Sequence, residues 1–291
     1  MTGPGDPGVA GRLARLTGTG VTGLRPAGSA HQFRHYRATL ADGREVFVKA
    51  AGTAGGDMIA AEARGLAWLA AAGSAPAPEV LGCGESLLVI SWVPAGAPDA
   101  ATAERFGREL AGTHAAGAGQ FGAPWPGFIA SLPLANDPPA DGGWPDWYAS
   151  HRLLPFLRQA ADAGTLGTAQ VREVEDVIAR IGELAGPAEP PSRIHGDCWS
   201  GNVLWSGGRG WLIDPAAHGG HRETDLAMLA LFGAPFLDRI LASYQEVAPL
   251  AAGWQARVPL HQLHPLLVHA CLFGSGYAGP VADAARAARR A

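Results

Sequence analysis

Two aspartates and an asparagine in the second half of the chain have the spacing that phosphoryl transfer requires. Asp197 precedes Asn202 by five positions, and Asp214 directly follows the short apolar segment Trp211-Leu212-Ile213. The same D-x-x-x-x-N interval occurs in kinase catalytic loops, and an aspartate after a short strand is an expected magnesium ligand. We therefore expect Asp197 to accept the proton of an attacking hydroxyl group. Asn202 and Asp214 would hold Mg²⁺ on the phosphates of ATP.

A single lysine in the first half of the chain supports the same chemistry. Of the 22 basic residues, 21 are arginine and only Lys49 is lysine. It ends the strand-like segment Val46-Phe47-Val48, and Glu62 follows thirteen positions later in a predicted helix. Kinases use a strand lysine to bind the α- and β-phosphates and a helix glutamate to position it. The alternative for Lys49 and Glu62 is a surface ion pair, which would contribute little.

Two further segments complete the predicted ATP site. A turn would lie over the phosphates, and it consists of Gly28, Ser29 and Ala30. A hinge would hydrogen-bond adenine through its backbone groups, and it consists of Ile90, Ser91, Trp92 and Val93. Together with Lys49 and the catalytic segment, these pieces occur in the order that the kinase scheme requires.

The elements that must position these residues divide the chain into two parts. Residues 1–93 are predicted as a small antiparallel sheet with an inserted helix at 59–72, and they include a turn over 26–30. Residues 90–97 form the predicted hinge, and residues 98–291 are mostly helical. The predicted helices span 102–116, 147–163, 168–182, 224–232, 236–247 and 260–273. Residues 119–146 match neither element, and a loop of that length is usually functional or packed by its own aromatic side chains.

The composition excludes several classes of protein. Hydrophobic residues make up 47% of the 291 residues and charged residues 16%, and the net charge is −4. This balance is typical of a globular protein and unlike a disordered or a basic nucleic-acid-binding chain. No apolar run has the length of a transmembrane helix, and the N-terminal residues show no signal-peptide pattern. We expect a cytoplasmic protein, monomeric or homodimeric, without nucleic-acid or membrane partners.

At this point the chain resembles the fructosamine kinase (ketosamine-3-kinase) family, in the protein-kinase-like and aminoglycoside-phosphotransferase-like group. Three motifs carry the resemblance: His195-Gly196-Asp197-x-Trp199-Ser200-Gly201-Asn202, Ile213-Asp214-Pro215-Ala216, and Gly219-x-His221-Arg222-Glu223-x-Asp225-Leu226-Ala227-Met228. The likeness covers nearly the whole chain. It implies an α+β, two-lobed kinase-like fold and an ATP-dependent kinase. The implied reaction phosphorylates the 3-hydroxyl group of the sugar in a glycated small amine or protein, which leads to deglycation.

The same motifs contain further candidate residues. We expect the face of Trp199 to stack on the ketosugar or on the carbon stem of the amine; a purely structural role is the alternative. Asp225 would brace the catalytic loop, with His195 in the same supporting role. A third group lies just past Asp214, lining the substrate or forming a structural network: His218, His221 and Glu223.

Two alternative functions remain open from the sequence alone. Kinases of aminoglycosides or amino alcohols share the Asp-Asn-Asp core. A non-catalytic nucleotide-binding protein is also conceivable, although it would not need Lys49, Asp197, Asn202 and Asp214 together. Cys198, next to Asp197, is expected to pack as a small hydrophobic residue, with oxidation as the alternative.

Overall fold

A five-stranded antiparallel sheet forms the N-terminal part of the protein. The computed structural model describes residues 7–30, 32–52, 55–139 and 143–290. The strands are β1 (Val21–Ala30), β2 (Phe33–Leu40), β3 (Glu45–Ala51), β4 (Val80–Cys83) and β5 (Leu87–Ser91). They lie in the order β1-β2-β3-β5-β4, and every neighbouring pair is antiparallel. The small antiparallel sheet predicted from the sequence is therefore present.

Two helices cover the two faces of this sheet. Helix α1 (Pro7–Thr17) packs on the face that carries Val46 and Val48 of β3. Helix α2 (Gly56–Ala70) packs on the opposite face, near Phe47. Because side chains alternate along a strand, Lys49 shares the face of Phe47 and points to the side where α2 lies.

The predicted turn over residues 26–30 is wrong. Strand β1 continues to Ala30, which pairs with Phe33 at the end of the hairpin. The pairing register shifts between Pro26 and Gly28, and Gly28 has a φ of 114°. β1 is an edge strand, where proline is tolerated, and the irregularity at a glycine absorbs the local distortion.

Helices dominate the rest of the chain. They are α3 (Ala100–Ala115), α4 (Trp144–Tyr148), α5 (Leu154–Asp162), α6 (Thr168–Ala179), α7 (Ile181–Leu184), α8 (Glu223–Leu231), α9 (Leu237–Val247), α10 (Trp254–Phe273) and α11 (Ala278–Ala288). Most of these helices were predicted within a few residues. Among the described residues, none of the helices combines the length and the hydropathy of a membrane-spanning segment.

Three features of the helical part differ from the prediction. The helix expected over 147–163 is interrupted by a π-helical turn, Ala149–Leu153, just before Pro155, which has no N–H to donate. The unassigned segment 119–146 contains a short hairpin, β6 (Gly127–Ile129) and β7 (Leu132–Leu134), and the start of α4. Helix α10 begins six residues before its predicted start, and α11 was not predicted.

Short strands position the catalytic segment between the helices. β8 (Ser192–Ile194) pairs with β11 (His218–Gly220), and β9 (Val203–Ser206) pairs with β10 (Arg209–Leu212). A 3₁₀ turn, Ser200–Asn202, leads into β9. The segments between these strands carry the predicted catalytic and metal-binding residues to one place.

Candidate active site

A cavity of about 270 Å³ lies between the sheet and the helical part. Seven of the predicted site residues line it: Ala30, Lys49, Glu62, Asp197, Trp199, Asn202 and Asp214. They come from segments as far apart in sequence as β1 and Asp214, the second residue after β10. The structure thus gathers the predicted phosphate-binding, base and metal-binding residues around one space.

Lys49 joins the two parts of the protein at this cavity. Its Nζ donates to both carboxylate oxygens of Glu62, at 2.8 and 2.7 Å, and also to Asp214. Lys49 is only 6% exposed, so this is a buried ion pair and not a surface one. Burial disfavours its charge, but the negative charges of Glu62 and Asp214 outweigh that effect and raise the pKa of Lys49.

Asp197 is held by the asparagine five positions later. Asn202 Nδ2 donates to both the backbone oxygen and the Oδ2 of Asp197, each at 2.9 Å. Burial raises the pKa of Asp197 to about 7; the nearby charges of Asp214 and Asp225 also raise it, against the lowering effect of the Asn202 hydrogen bond. A carboxylate with a pKa near neutrality is well matched to a general base.

The loop that carries Asp197 turns at a glycine. Gly196 has a φ of 80°, and a Cβ atom there would lie 2.3 Å from the backbone oxygen of Ala216. Only glycine fits both the conformation and the space. The sharp turn lets the chain leave β8 and direct Asp197 into the cavity.

Asp225 and His195 fasten this loop from behind. The carboxylate of Asp225 accepts the backbone N–H groups of His195 (2.7 Å) and Gly196 (2.9 Å). His195 Nδ1 accepts a hydrogen bond from the backbone N–H of Asp197. On the other side of the ring, His195 Nε2 donates to the carbonyl oxygen of Ile213, at a distance of 2.8 Å. The loop bearing Asp197 and the segment bearing Asp214 are thereby tied together.

A second buried partner stabilises the charge of Asp225. His114 Nε2 lies 3.1 Å from Asp225, and His114 Nδ1 lies 2.8 Å from the hydroxyl oxygen of Tyr244. Burial opposes the ionisation of Asp225, but its hydrogen bonds to His114 and the charges near it outweigh that effect and lower its pKa. Asp225 therefore acts as a fixed anion behind the loop.

Trp199 lines the cavity and is 38% exposed. A Cβ atom on Gly201 would lie 2.2 Å from the indole Cη2, so the ring occupies space that only glycine leaves open. This contact explains why a glycine follows Trp199 in the motif. Cys198, by contrast, is fully buried among residues such as Phe106 and Leu212, in agreement with the packing role.

The donor set of the cavity fits a magnesium ion. Asp214 offers a carboxylate, and Asn202 offers its amide oxygen because its amide nitrogen is engaged with Asp197. Oxygen donors of this kind suit a hard divalent cation. Burial opposes the ionisation of Asp214, but Lys49 outweighs it and lowers the pKa of Asp214, so the carboxylate is charged at neutral pH.

The predicted hinge lies outside the cavity wall. The backbone N–H of Ser91 donates to Glu79 (2.9 Å), and that of Trp92 donates to Glu45 (3.1 Å). The guanidinium group of Arg37 lies 4.6 Å from the centroid of the Trp92 ring. The hydrogen bonds of Ser91 and Trp92 already engage two of the backbone N–H groups that were expected to bind adenine, and adenine binding by this segment stays a prediction. Of the predicted phosphate-loop residues, Ala30 lines the cavity, while Gly28 and Ser29 precede it on β1.

The structure places the other three substrate candidates away from the cavity wall. His218, His221 and Glu223 are all less than 5% exposed. Both carboxylate oxygens of Glu223 bind Arg257, at 2.9 and 2.5 Å. The potential ligand atoms of three buried residues lie close enough to hold a metal ion: His221, Glu223 and His261. The guanidinium group of Arg257, however, already binds the carboxylate of Glu223.

Two other residues of the Gly-x-His-Arg-Glu stretch, Gly219 and Arg222, have structural roles. Gly219 approaches Gln120 so closely that a Cβ atom would lie 2.0 Å from the Gln120 backbone oxygen. Arg222 makes a two-pronged ion pair with Glu189, with both distances at 2.7 Å. The Gly-x-His-Arg-Glu stretch thus holds β11 and α8 in place behind the catalytic loop.

Sequence reasoning missed several residues of the cavity. His35 of β2 lies there because it pairs with Lys49 in the sheet register. The hairpin segment contributes a wall of its own: Trp125, Gly127, Phe128, Ile129 and Ala130. The one available signal was the unusual length and aromatic content of residues 119–146, which already indicated a functional or self-packed loop.

Comparisons with known proteins agree with this geometry. The fructosamine kinase family matches residues 19–287. A crystal structure of a candidate fructosamine-3-kinase from Thermobifida fusca has a TM-score of 0.94 and 52% identity, covering 99% of this chain and 100% of that one. A Synechocystis sp. protein named as a probable ketoamine kinase is 34% identical over 249 residues, 82% of this chain and 81% of its own.

A plant relative is similar over a longer stretch. The chloroplastic protein-ribulosamine 3-kinase of Oryza sativa is 30% identical over 283 residues, 92% of this chain and 77% of its own length. The structural match confirms the predicted α+β, protein-kinase-like fold class.

Proposed function

Because the chain belongs to the fructosamine kinase family, we propose that it transfers the γ-phosphoryl group of ATP to the 3-hydroxyl group of the sugar in a ketosamine. Family membership confirms the resemblance predicted from the motifs and identifies the protein as an ATP-dependent kinase. The acceptor would be a fructosamine or ribulosamine adduct of a small amine or of a protein. Phosphorylation there would destabilise the adduct and release the amine, which is deglycation.

One observation carries the proposal: Lys49, Asp197, Asn202 and Asp214 line a single cavity together with Trp199. A structural role explains each residue singly, but it does not explain why a buried cation, a carboxylate of raised pKa and two oxygen donors face the same space. Phosphoryl transfer needs all of them, because catalysis consists of positioning the reactants and neutralising charge.

Each side chain has a part in the proposed reaction. Asp197, with Oδ2 fixed by Asn202, would accept the proton of the sugar hydroxyl as its oxygen attacks the γ-phosphorus. Lys49, positioned by Glu62, would bind the α- and β-phosphates and stabilise the charge that develops there. Asn202 and Asp214 would hold Mg²⁺, which when bound neutralises phosphate charge. His195 and Asp225 would keep the base oriented through the loop backbone.

Trp199 would bind the acceptor. Its indole ring lines the cavity beside Asp197 and has an exposed face. Aromatic faces stack well on sugar rings and on hydrocarbon stems. We assign Trp199 the task of placing the ketosugar so that its 3-hydroxyl group meets Asp197.

The release of ADP in the presence of different acceptors tests the proposal. Fructosyl and ribulosyl adducts of Nα-acetyl-lysine would be compared with a 3-deoxy ketosamine, an aminoglycoside and an amino alcohol. We expect ADP release with the two adducts and none with the 3-deoxy analogue. Turnover of the aminoglycoside or the amino alcohol alone would assign the protein to another group of small-molecule kinases. ATP binding without turnover of any acceptor would favour a non-catalytic nucleotide-binding protein.

A further inference from the structure

Exposed aromatic side chains of the helical part are concentrated beside the cavity. Among the described residues, five large hydrophobic side chains are exposed: Trp199, Phe232, Phe236, Val247 and Phe273. Three of them, Trp199, Phe232 and Phe273, belong to one continuous series of ring contacts. Single exposed hydrophobic residues are ordinary, but a contiguous group on a folded protein marks a binding surface.

The series begins at the cavity and runs away from it. The ring centroids of Trp199 and Phe232 are 6.0 Å apart, and those of Phe232 and His269 are 5.1 Å apart. His269 in turn contacts Phe273 at 5.3 Å and Tyr277 at 5.0 Å. We call these five residues, Trp199, Phe232, His269, Phe273 and Tyr277, the aromatic track.

Secondary structure holds the track in place. Phe232 caps the C-terminus of α8, and Phe273 is the last residue of α10. His269 lies one turn earlier on α10, and its Nδ1 is 2.6 Å from the backbone oxygen of Pro265. Tyr277 ends a 3₁₀ turn between α10 and α11. A surface anchored at helix ends loses little conformational entropy when a ligand binds.

The track is apolar and without formal charge at neutral pH. Burial lowers the pKa of His269, although its hydrogen bond to Pro265 acts in the opposite direction, so the imidazole is neutral. Trp199, Phe232 and Phe273 are 38%, 39% and 59% exposed, and His269 and Tyr277 are partly buried between and beside them. Such a surface favours an uncharged hydrocarbon or aromatic group over a charged one.

The acceptor itself supplies a group of this kind. If the sugar of a ketosamine occupies the cavity and stacks on Trp199, its amine portion can leave along this exposed side chain, which belongs to both the cavity wall and the track. Beyond Phe232 the track continues for two more ring contacts of about 5 Å each. Three residues of extended polypeptide reach about 10 Å, which matches the length of these two contacts. A residue near the modified lysine in the chain would therefore meet His269 and Phe273.

We propose that the aromatic track is a subsite for an apolar residue that flanks the glycated lysine of a polypeptide acceptor. This inference rests on the proposed function, because it assumes that the sugar of the adduct occupies the cavity. It adds a preference for sequence context: acceptors with a large apolar neighbour bind better than acceptors with glycine neighbours. The track would act on acceptor binding and not on the chemical step.

Three acceptors and two variants test the subsite. The acceptors are the ribulosyl adduct of Nα-acetyl-lysine and two short peptides that carry the same adduct, one with leucine neighbours and one with glycine neighbours. For the wild type we expect the leucine peptide to have a KM about three- to tenfold lower than the glycine peptide, with equal kcat. Phe273→Ala should remove that difference and leave the KM of the small adduct unchanged.

Val247→Ala is the matched control, because Val247 is 51% exposed but lies outside the track, at the end of α9. It should retain the full difference between the peptides, and thermal denaturation would establish that both variants are folded. Equal KM values for the two peptides with the wild type would overturn the inference. Turnover of the small adduct but of neither peptide would do the same, while the proposed function would stand. Turnover of none of the three would overturn both.

Discussion

Asp197 is the residue on which the proposed chemistry depends most. Replacing it with asparagine keeps the size of the side chain but removes the group that accepts a proton. We expect Asp197→Asn to lower kcat by about 10²- to 10⁴-fold, the usual contribution of a general base. ATP binding should be retained, because the phosphates are assigned to Lys49. Steady-state kinetics and calorimetric ATP titration measure the two effects, and turnover near that of the wild type would refute the assignment of the base.

The position of Trp199 depends on the small residue two places later. Gly201→Ala would place a Cβ atom 2.2 Å from the indole Cη2 and displace the ring. We expect the KM of the ketosamine to rise about three- to tenfold while the KM of ATP stays unchanged. Gly182→Ala is the control, since a Cβ atom at Gly182 meets nothing within 4 Å. An unchanged ketosamine KM in Gly201→Ala would show that the indole does not bind the acceptor.

At the scale of single residues, the sequence predicts those site residues whose chemistry requires a particular amino-acid type at a particular spacing. Asp197, Asn202 and Asp214 follow such a pattern, and Lys49 is conspicuous as the only lysine. His35 could not be found in this way, because it reaches the cavity through the register of β2 against β3. Register depends on the whole sheet and not on a local motif.

At the scale of elements, the ion pair between Glu223 and Arg257 joins the start of α8 to α10. Glu223 is 3% exposed and Arg257 is 7% exposed, and two hydrogen bonds connect them. Burial opposes the ionisation of Glu223, but His261, whose Nε2 lies 3.4 Å away, and the hydrogen bonds from Arg257 outweigh it and lower the pKa of Glu223 to about 2. Glu223→Gln would leave the guanidinium group buried without a counter-charge, so we expect a loss of about 3–5 kcal/mol in the free energy of unfolding.

The matched control for this prediction is a surface pair. Arg108 and Glu246 also form an ion pair between two helices, at 2.6 Å, but Glu246 is 61% exposed. Glu246→Gln should cost less than about 1 kcal/mol. Urea denaturation of both variants compares the two losses. A Glu223→Gln variant as stable as the Glu246→Gln variant would show that the buried pair does not fasten α8.

The elements that were predicted correctly are those with strong periodicity and clear ends. Helix α2 and strands β3 and β5 are examples, since their alternating or helical apolar patterns match the packing on the sheet. The β6–β7 hairpin was missed because each strand has only three residues. The π-helical turn was missed because an apolar helical pattern continues through it and only Pro155 marks the break.

At the scale of the whole molecule, buried neutral histidines make stability depend on pH. Burial, together with the positive charge of Arg152, lowers the pKa of His264 to about 3, although its hydrogen bond to the Arg152 carbonyl oxygen opposes this. The unfolded chain takes up this proton below about pH 6.5, whereas the folded protein does not until about pH 3. The contribution of His264 is therefore fully present above pH 6.5. It is lost progressively as the pH falls, at about 1.4 kcal/mol per pH unit.

A variant isolates this effect from the other titrating groups. Raised carboxyl pKa values, such as that of Asp197, act with the opposite sign in the same range of pH, so the wild type alone does not separate them. His264→Gln removes the titrating group and keeps a donor for the Arg152 carbonyl oxygen. Between pH 6 and 4.5, we expect the stability difference between wild type and variant to change by about 1.4 kcal/mol per pH unit. Parallel urea-denaturation profiles for the two proteins would contradict the assignment of a neutral buried His264.

The sequence predicts that the sheet precedes the helical part, but it does not predict which residues of the two parts contact each other. The sheet comes first and the helices follow the predicted hinge, as the composition of each part indicated. The ion pair from Lys49 to Asp214 joins residues 165 positions apart, and only the folded chain shows that it is buried. The aromatic track is of the same kind, because its residues come from the catalytic loop, α8 and α10.

The proposed product, a ketosamine phosphorylated at the 3-hydroxyl group of its sugar, is observed directly by ³¹P NMR. The protein would be incubated with Mg-ATP and, separately, with the fructosyl and ribulosyl adducts of lysine, with Asp197→Asn as the control. We expect a sugar 3-phosphate resonance that appears with the wild type and is absent or strongly delayed with the variant. Wild-type protein that binds ATP but forms no sugar phosphate from either adduct would refute the proposed ketosamine kinase activity.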